Sequence, residues 1–121
     1  MKRDMDLVRR ILIDLSEASG SLSAEAFATD RISFDDVCYH FRIMDEAGLV
    51  WAVVVYDGDT PRCGTATGPT WAGSDFLASV RSDTIWSKVK ERVAKATGDA
   101  SLDVIKSLAV KLSEAALLAG L

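Results

Sequence analysis

The sequence has few of the residues that build metal centres or disulfide frameworks. Its 121 residues include one histidine, two cysteines and two prolines. The two cysteines, Cys38 and Cys63, form no C-x-x-C pair. Together with His40 they supply too few ligands for a zinc site and too few bridges for a secreted scaffold. We therefore expect free thiols, no metal and no cofactor.

Long apolar runs are also missing. No stretch approaches the ~20 apolar residues that cross a bilayer. The first ten residues, MKRDMDLVRR, mix both signs of charge where a signal peptide would place a basic stub and an apolar run. These absences predict a cytoplasmic protein without a membrane partner.

Positive charge is in deficit. Fourteen Lys and Arg against eighteen Asp and Glu give a formal net charge of -4 at pH 7. This is the wrong sign for general attraction to phosphate backbones. Hydrophobic residues make up 49% of the chain and charged residues 26%, a balance typical of a chain that folds alone. The length predicts a single domain.

No familiar catalytic motif occurs, since a nucleophile elbow, a P-loop, a dinucleotide-binding glycine pattern and a paired-histidine zinc motif are all missing. Histidine is the usual candidate for proton transfer. However, helical spacing places His40 beside an apolar face, which favours a structural role, bonded to backbone or packed on the first helix. The carboxylate pairs Asp4 with Asp6 and Asp57 with Asp59 fit helix-end and turn chemistry. We expect no enzymatic activity.

Helical periodicity appears early in the chain. Residues 4–17 carry apolar side chains at helical spacing and predict an amphipathic first helix. Residues 22–32 leave two alternatives open: a short helix around 24–28, which we favour, or an irregular link with a brief strand. Ser33 with Asp36 three residues later has capping-box spacing and predicts a helix that Gly48 closes.

A hairpin and further helices follow. Residues 50–56 are rich in β-branched and aromatic side chains, and a turn at 57–59 returns the chain along a weaker strand at 62–67. A long helical segment begins after Gly68-Pro69, and Ser82-Asp83 in its middle can cap a new helix. A last helix is predicted over residues 102–118.

This order of elements is that of a winged helix-turn-helix with C-terminal additions. The segment YHFRIMDEAGLV, residues 39–50, resembles the end of a recognition helix entering the first wing strand in small bacterial winged-helix regulators. We expect an α+β, helix-dominated fold. It would have a winged-helix-like core in residues 1–69, with the β-hairpin as its wing, and a C-terminal helical extension in residues 70–121.

Three separated segments resemble one family over nearly the whole chain. They are MKRDMDLVRRIL, YHFRIMDEAGLV and TWAGSDFLASVRSDTIWSKVKE. Their layout is similar to that of the domain of unknown function 2513 family, short bacterial and phage proteins. The resemblance implies a winged-helix-like fold and no settled activity.

The predicted recognition helix has the wrong charge for DNA. Residues 33–48 hold four acidic residues and one basic residue, which would repel phosphates across a major groove. The side opposite Phe41 carries Asp36, Tyr39, Ile43 and Glu46. Tyr39 and Ile43 could anchor a protein partner there, or they could rest on another element of the chain, such as the last helix.

The basic candidates for duplex DNA lie elsewhere. They are Arg42, Arg62 in the hairpin, and a stripe at helical spacing formed by Arg81, Lys88, Arg92 and Lys95. Such a stripe is usually a solvated face. DNA binding is therefore the hypothesis favoured by fold analogy, and protein recognition through the acidic helix is the alternative favoured by charge.

The remaining apolar residues predict core and docking surfaces. Trp71, Phe76 and Trp86 have core spacing, so we expect packing and not base stacking. The last helix carries more apolar residues than one face needs, with Ala115 and Ala116 on its predicted core side. It is therefore predicted to be a docking element that forms a two-fold homodimer.

Overall fold

The computed structural model describes residues 2–96 and 98–120. The chain divides into two compact units, Met1–Asp75 and Phe76–Leu121. About 60% of the residues are helical, and the strands form one small antiparallel sheet. The predicted α+β, helix-dominated class is confirmed. That the chain folds as one domain stays a prediction.

The first helix, α1, spans Met5–Glu17. It begins where the sequence predicts because the Asp4 carboxylate accepts hydrogen bonds from the backbone N–H groups of Asp6, at 3.0 Å, and Leu7, at 3.3 Å. One apolar face is buried, formed by Leu7, Val8, Ile11, Leu12 and Leu15.

Both alternatives for residues 22–32 are found in part. A two-residue strand, β1 at Leu22–Ser23, leads into a single 3-10 turn at Ala24–Ala26. The favoured short helix is therefore only one turn long. That turn brings Phe27 into the core, where its ring lies edge-on to Phe41 with centroids 5.8 Å apart.

The second helix, α2, spans Phe34–Glu46. The Ser33 hydroxyl accepts from the Asp36 N–H at 3.1 Å, as the capping spacing predicts. At the other end Gly48 adopts φ +76°, and the Leu49 N–H donates to the Met44 carbonyl at 2.9 Å. This is a Schellman ending, so the predicted closure at Gly48 is confirmed.

The hairpin consists of β2, Trp51–Asp57, and β3, Thr60–Thr67. The sheet order is β1-β3-β2, with every pair antiparallel. One face of the sheet packs on α2. Gly64 permits a close approach there, since a Cβ atom at this position would lie 3.1 Å from the Cys38 sulfur.

A tight joint connects the end of α2 to the start of the third helix, α3, Trp71–Val80. The Thr70 N–H donates to the Leu49 carbonyl at 3.0 Å, and the Thr70 hydroxyl donates to the Gly48 carbonyl. The Gly73 backbone lies directly against the Leu49 carbonyl, where a Cβ atom would not fit.

The helix α4 spans Asp83–Ala96 and α5 spans Leu102–Ala119. The predicted cap at Ser82 is confirmed, since its hydroxyl accepts from the Ile85 N–H at 3.3 Å. Ser101 caps α5 in the same way through the Val104 N–H. The buried apolar residues of the second unit are Phe76, Leu77, Val80, Ile85, Trp86, Val89, Ile105 and Ala109.

Two predictions about packing are wrong. Trp71 is 85% exposed, unlike Phe76 and Trp86. At the start of α3, the side that packs against the rest of the unit is the side of Gly73. Trp71 precedes Gly73 by two residues, which is about 200° of helical rotation, so its side chain points away from the packed side. On α5 the predicted core residues Ala115 and Ala116 are exposed, as is every residue of 114–120, because no described element covers the end of this helix.

The joint predicts a strong effect for Gly73→Ala. A methyl group there must displace the Leu49 carbonyl, so the free energy of unfolding should fall by about 1 to 3 kcal/mol. Gly20→Ala is the matched control, since a Cβ atom at Gly20 meets nothing within 4 Å; it should change stability by no more than about 1 kcal/mol. Urea denaturation measures both. Equal, small effects would show that the joint is loose.

Candidate functional site

A groove of about 470 Å³ lies between α2 and the tip of the hairpin, within the first unit. Its lining residues come from both elements: Asp35, Tyr39, Arg42, Tyr56, Gly58, Asp59 and Pro61. The hairpin turns at Gly58-Asp59, where Gly58 has φ +62°. The tip of the hairpin lies beside α2. We take this groove as the candidate site.

The wall of the groove on α2 is an ordered aromatic cluster. Tyr39 is half-buried, and its ring stands edge-on to the His40 ring with centroids 5.4 Å apart. The Arg42 guanidinium lies 5.7 Å from the Tyr39 ring centre, within cation–π distance. On the opposite wall Tyr56 is 41% exposed. Two tyrosines therefore offer apolar surface with polar tips to a ligand.

The charge in the groove is predominantly negative. Asp35 and Asp59 contribute two carboxylates against the single guanidinium of Arg42. Next to the groove, Arg62 does not add free positive charge, because it pairs with Asp57 at 2.9 Å. The groove therefore suits a basic or polar group better than a phosphate.

The structure separates the four predicted protein-contact residues. Only Tyr39 lines the groove. Ile43 is half-buried, so the two residues do not form the fully exposed pair that the spacing predicted. Asp36 is half-buried and its N–H serves the helix cap, whereas Glu46 is exposed at the end of α2.

Of the residues that line the groove, the sequence analysis identifies only Tyr39 and Arg42 as candidate site residues. Tyr56 and Asp59 flank the hairpin turn, and the spacing of Asp57-Gly58-Asp59 predicted only turn chemistry. A usable signal was present, since Tyr39 and Tyr56 are the only two tyrosines in the chain. Nothing in the sequence indicates that these two rings line one groove.

The predicted basic stripe is wrong as a single helical face. Arg81 lies between α3 and α4, ahead of the first residue of α4, so it does not continue the row on that helix. Lys88, Arg92 and Lys95 are exposed on α4, and Lys95 pairs with Glu91 at 2.8 Å. The break at Ser82, whose side chain caps α4, is the physical cause.

His40 has a structural position. It is 1% exposed, its Nε2 accepts from the Asp4 N–H at 2.9 Å, and its Nδ1 lies 2.7 Å from the Asp36 carbonyl. An N–H donor at Nε2 and a carbonyl at Nδ1 require the neutral ring with its proton on Nδ1. The predicted backbone hydrogen bonding is confirmed, and it joins α2 to the start of α1.

The two cysteines differ in environment. Cys38 is fully buried and Cys63 is exposed on β3. Burial, and then the negative charges of Asp35 and Glu25, raise the pKa of the Cys38 thiol from its ordinary value of 9.0 to about 11. Cys38 therefore stays a thiol under ordinary conditions, and only Cys63 is available to reagents.

Within residues 2–96 and 98–120, no group of three or more His, Cys, Asp or Glu side chains could hold a metal ion. None of the helices in those ranges has the length and apolar character needed to cross a membrane.

These observations define a helix-rich α+β protein with a small open sheet and an acidic groove. The family described as hypothetical protein DUF2513 matches residues 2–99, and the chain belongs to this family. It is 39% identical over 112 residues to an uncharacterized protein of Haemophilus influenzae strain Rd. The aligned region covers 90% of this chain and 92% of that protein. No solved structure matches the chain. The family match ends before α5 begins.

The thiols should react in two separate steps. With the pKa of Cys38 near 11, about one in a thousand of its thiols is ionised at pH 8, and burial blocks access as well. A chromogenic disulfide reagent should titrate one thiol per chain rapidly and the second only after unfolding. A variant with Cys63→Ser should show no rapid thiol. Two rapid thiols in the folded wild type would contradict the burial of Cys38.

The raised pKa also gives stability a pH dependence. The unfolded chain releases the Cys38 proton near pH 9, before the folded chain does, so rising pH favours unfolding between about pH 9 and 11. The Cys38→Ala variant should lack this part of the decline. Parallel curves of unfolding free energy against pH for the two proteins would argue against it.

The His40 bridge predicts a local effect at the start of α1. In His40→Leu the Asp4 N–H and the Asp36 carbonyl lose their partner, so stability should fall by about 1 to 3 kcal/mol. Hydrogen exchange at the Asp4 amide should accelerate at the same time. Tyr39→Leu is the neighbouring control and should leave that amide protected. Unchanged Asp4 exchange in His40→Leu would rule out the bridge.

Proposed function

We propose that this chain is a non-enzymatic recognition module with a winged-helix-like first unit. It binds a basic segment of a partner protein in the groove between α2 and the hairpin tip. The groove itself carries the proposal, because it joins two aromatic walls to a net negative charge. Tyrosine is among the residue types that contribute most of the binding energy at protein interfaces.

The order of elements supports the winged-helix assignment. A helix, a short strand, a helical turn, a second helix and a hairpin follow one another. In such domains the helix before the hairpin is the recognition helix and the hairpin is the wing. The groove then lies between these two elements.

Charge decides between a protein and a nucleic acid as the partner. A lysine or arginine of the partner can lie between the Tyr39 and Tyr56 rings and approach the carboxylates of Asp35 and Asp59. A phosphate backbone would meet those carboxylates without compensation. The positive charge of Arg62 is already paired with Asp57, so it would compensate little of the repulsion between the carboxylates and a phosphate backbone.

Duplex DNA is the second candidate, and the winged-helix order of elements is the observation that favours it. Its candidate contacts are Arg42, Arg62, Arg81, Lys88, Arg92 and Lys95. The acidic α2 limits the affinity, so we expect a Kd for random duplex no tighter than about 10⁻⁵ M at physiological salt.

Peptide selection tests the protein hypothesis. A library of random peptides displayed on phage is selected on the full chain, and the enriched peptides are measured by fluorescence anisotropy. Enriched sequences should be rich in Lys or Arg, and Tyr39→Ala or Asp59→Asn should weaken them at least tenfold. Lys88→Ala, an exposed residue of α4, is the control and should leave affinity unchanged.

A DNA titration in the same assay separates the two candidates. Duplex binding should weaken steeply as salt rises, whereas a peptide anchored on tyrosines should respond less. Peptides without basic residues, or basic peptides indifferent to Tyr39→Ala, would overturn the groove as the site. Salt-sensitive duplex binding tighter than the peptides would favour DNA.

A further inference from the structure

The second face of the sheet, turned away from α2, carries apolar and uncharged polar side chains from Trp51 to Val55, and the charges at its tip, Asp57 and Arg62, pair with each other at 2.9 Å. Its side chains form three cross-strand pairs, joined by Ser23 of β1, which lies opposite Thr65. We call this set the open sheet face: Trp51 with Thr67, Val53 with Thr65, Val55 with Cys63, and Ser23. Trp51 is 60% exposed, Val53 65% and Val55 50%.

This pattern is unusual for a surface that meets only water. An antiparallel sheet with one solvated face normally alternates apolar residues inside with polar residues outside. On β2 both faces are apolar, since Ala52 and Val54 lie between the exposed Trp51, Val53 and Val55. Contiguous apolar surface of this kind marks an interaction site.

A second exposed tryptophan follows the end of β3. A Cβ atom at Gly68 would lie 3.6 Å from the Trp51 indole, and Trp71, which is 85% exposed, follows three residues later. Both exposed tryptophans therefore lie at the base of the hairpin. The acidic residues Asp57 and Asp59 lie at its opposite end, at the tip.

We propose that the open sheet face binds a second copy of this chain, sheet against sheet, about a two-fold axis that runs across the strands. Between Trp51 and Val55 the face has no charge of either sign, so two copies can meet there without unpaired charges, and a two-fold interface requires such self-complementarity. Because each copy carries a net charge of -4, two copies repel each other overall, and contact through uncharged side chains adds least to that repulsion.

This orientation also separates the acidic tips. Each tip lies over the base of the partner's hairpin, at a distance of about seven strand residues, or roughly 23 Å. That exceeds the Debye length of about 8 Å at physiological salt, so Asp57 and Asp59 of the two copies do not repel each other appreciably.

The area indicates a reversible dimer. The exposed parts of Trp51, Val53, Val55 and the uncharged side chains beside them on this face amount to roughly 450 to 500 Å² per copy, with a tryptophan taken as roughly 250 Å². Two copies would bury roughly 900 to 1,000 Å², at the lower limit for specific association. We expect a Kd on the order of 10 to 100 µM, with Trp51 at the centre of the binding energy.

The last helix is the competing surface for self-association. The sequence predicts dimerisation through it, and Val104, Leu117 and Leu118 are 55%, 74% and 69% exposed. The experiment must therefore distinguish α5 from the open sheet face. The structure offers a matched pair of valines, Val53 at 65% and Val104 at 55% exposure.

Sedimentation velocity of the full chain between about 1 and 200 µM is the test. The wild type should show a concentration-dependent monomer–dimer equilibrium. Val53→Lys should raise the dissociation constant at least tenfold, and the shape-conserving Val53→Thr should raise it less; circular dichroism confirms that both fold. Val104→Lys and Leu117→Lys should leave it unchanged.

The native Cys63 thiol gives a second reading without any substitution. It lies in the open sheet face, and Cys38 is buried, so alkylation reports Cys63 alone. Its rate constant should fall as wild-type dimer forms and stay constant in Val53→Lys. A monomer at 200 µM, or a dimer weakened only by the α5 variants, would overturn the proposal. Peptide binding in the groove is measured separately, so either proposal can fail alone.

Discussion

The joint around the Leu49 carbonyl is the constraint on which the first unit depends. Gly48 reverses the chain at the end of α2, Leu49 accepts from Thr70, and Gly73 leaves room for this contact. The start of β2 and the start of α3 are thereby tied to the same end of one helix. The hairpin between them lies with its inner face on α2, where Gly64 approaches Cys38.

That arrangement gives α2 two different sides. Its buried side holds Phe41 against Phe27, and its His40 ring bridges to the start of α1. Its outer side presents Tyr39 and Arg42 to the hairpin tip. Because His40 and Tyr39 are adjacent and in edge-on contact, the bridge that orders the core also fixes one wall of the groove.

The groove and the open sheet face have opposite chemistry. The groove is negative and lined by tyrosines, whereas the open sheet face is neutral and centred on Trp51 and Val53. They also use opposite ends of one hairpin, since the groove is at its tip and the exposed tryptophans are at its base. A partner protein and a second copy could therefore bind the same unit without competing for the same residues.

Local signals in the sequence were sufficient for most of the helix ends. Asp4, Ser33 and Ser82 each satisfy backbone N–H groups within three residues, so their effect does not depend on the rest of the chain. The same holds for Gly48, whose positive φ closes α2 by bonds within the last turn. The family resemblance was also readable, because it rests on linear motifs.

Tertiary structure decided what periodicity could not. Trp71 has the spacing of a core residue, but the packing side of α3 is set by the contact of Gly73 with the Leu49 carbonyl, twenty-four residues earlier in the chain. Tyr56 and Asp59 became a site only when the hairpin folded beside Tyr39. The sequence by itself determined the helices, the hairpin and the absence of excess positive charge. Which faces stay open was decided by packing between distant segments, since burial is a property of neighbours and not of a residue's own spacing.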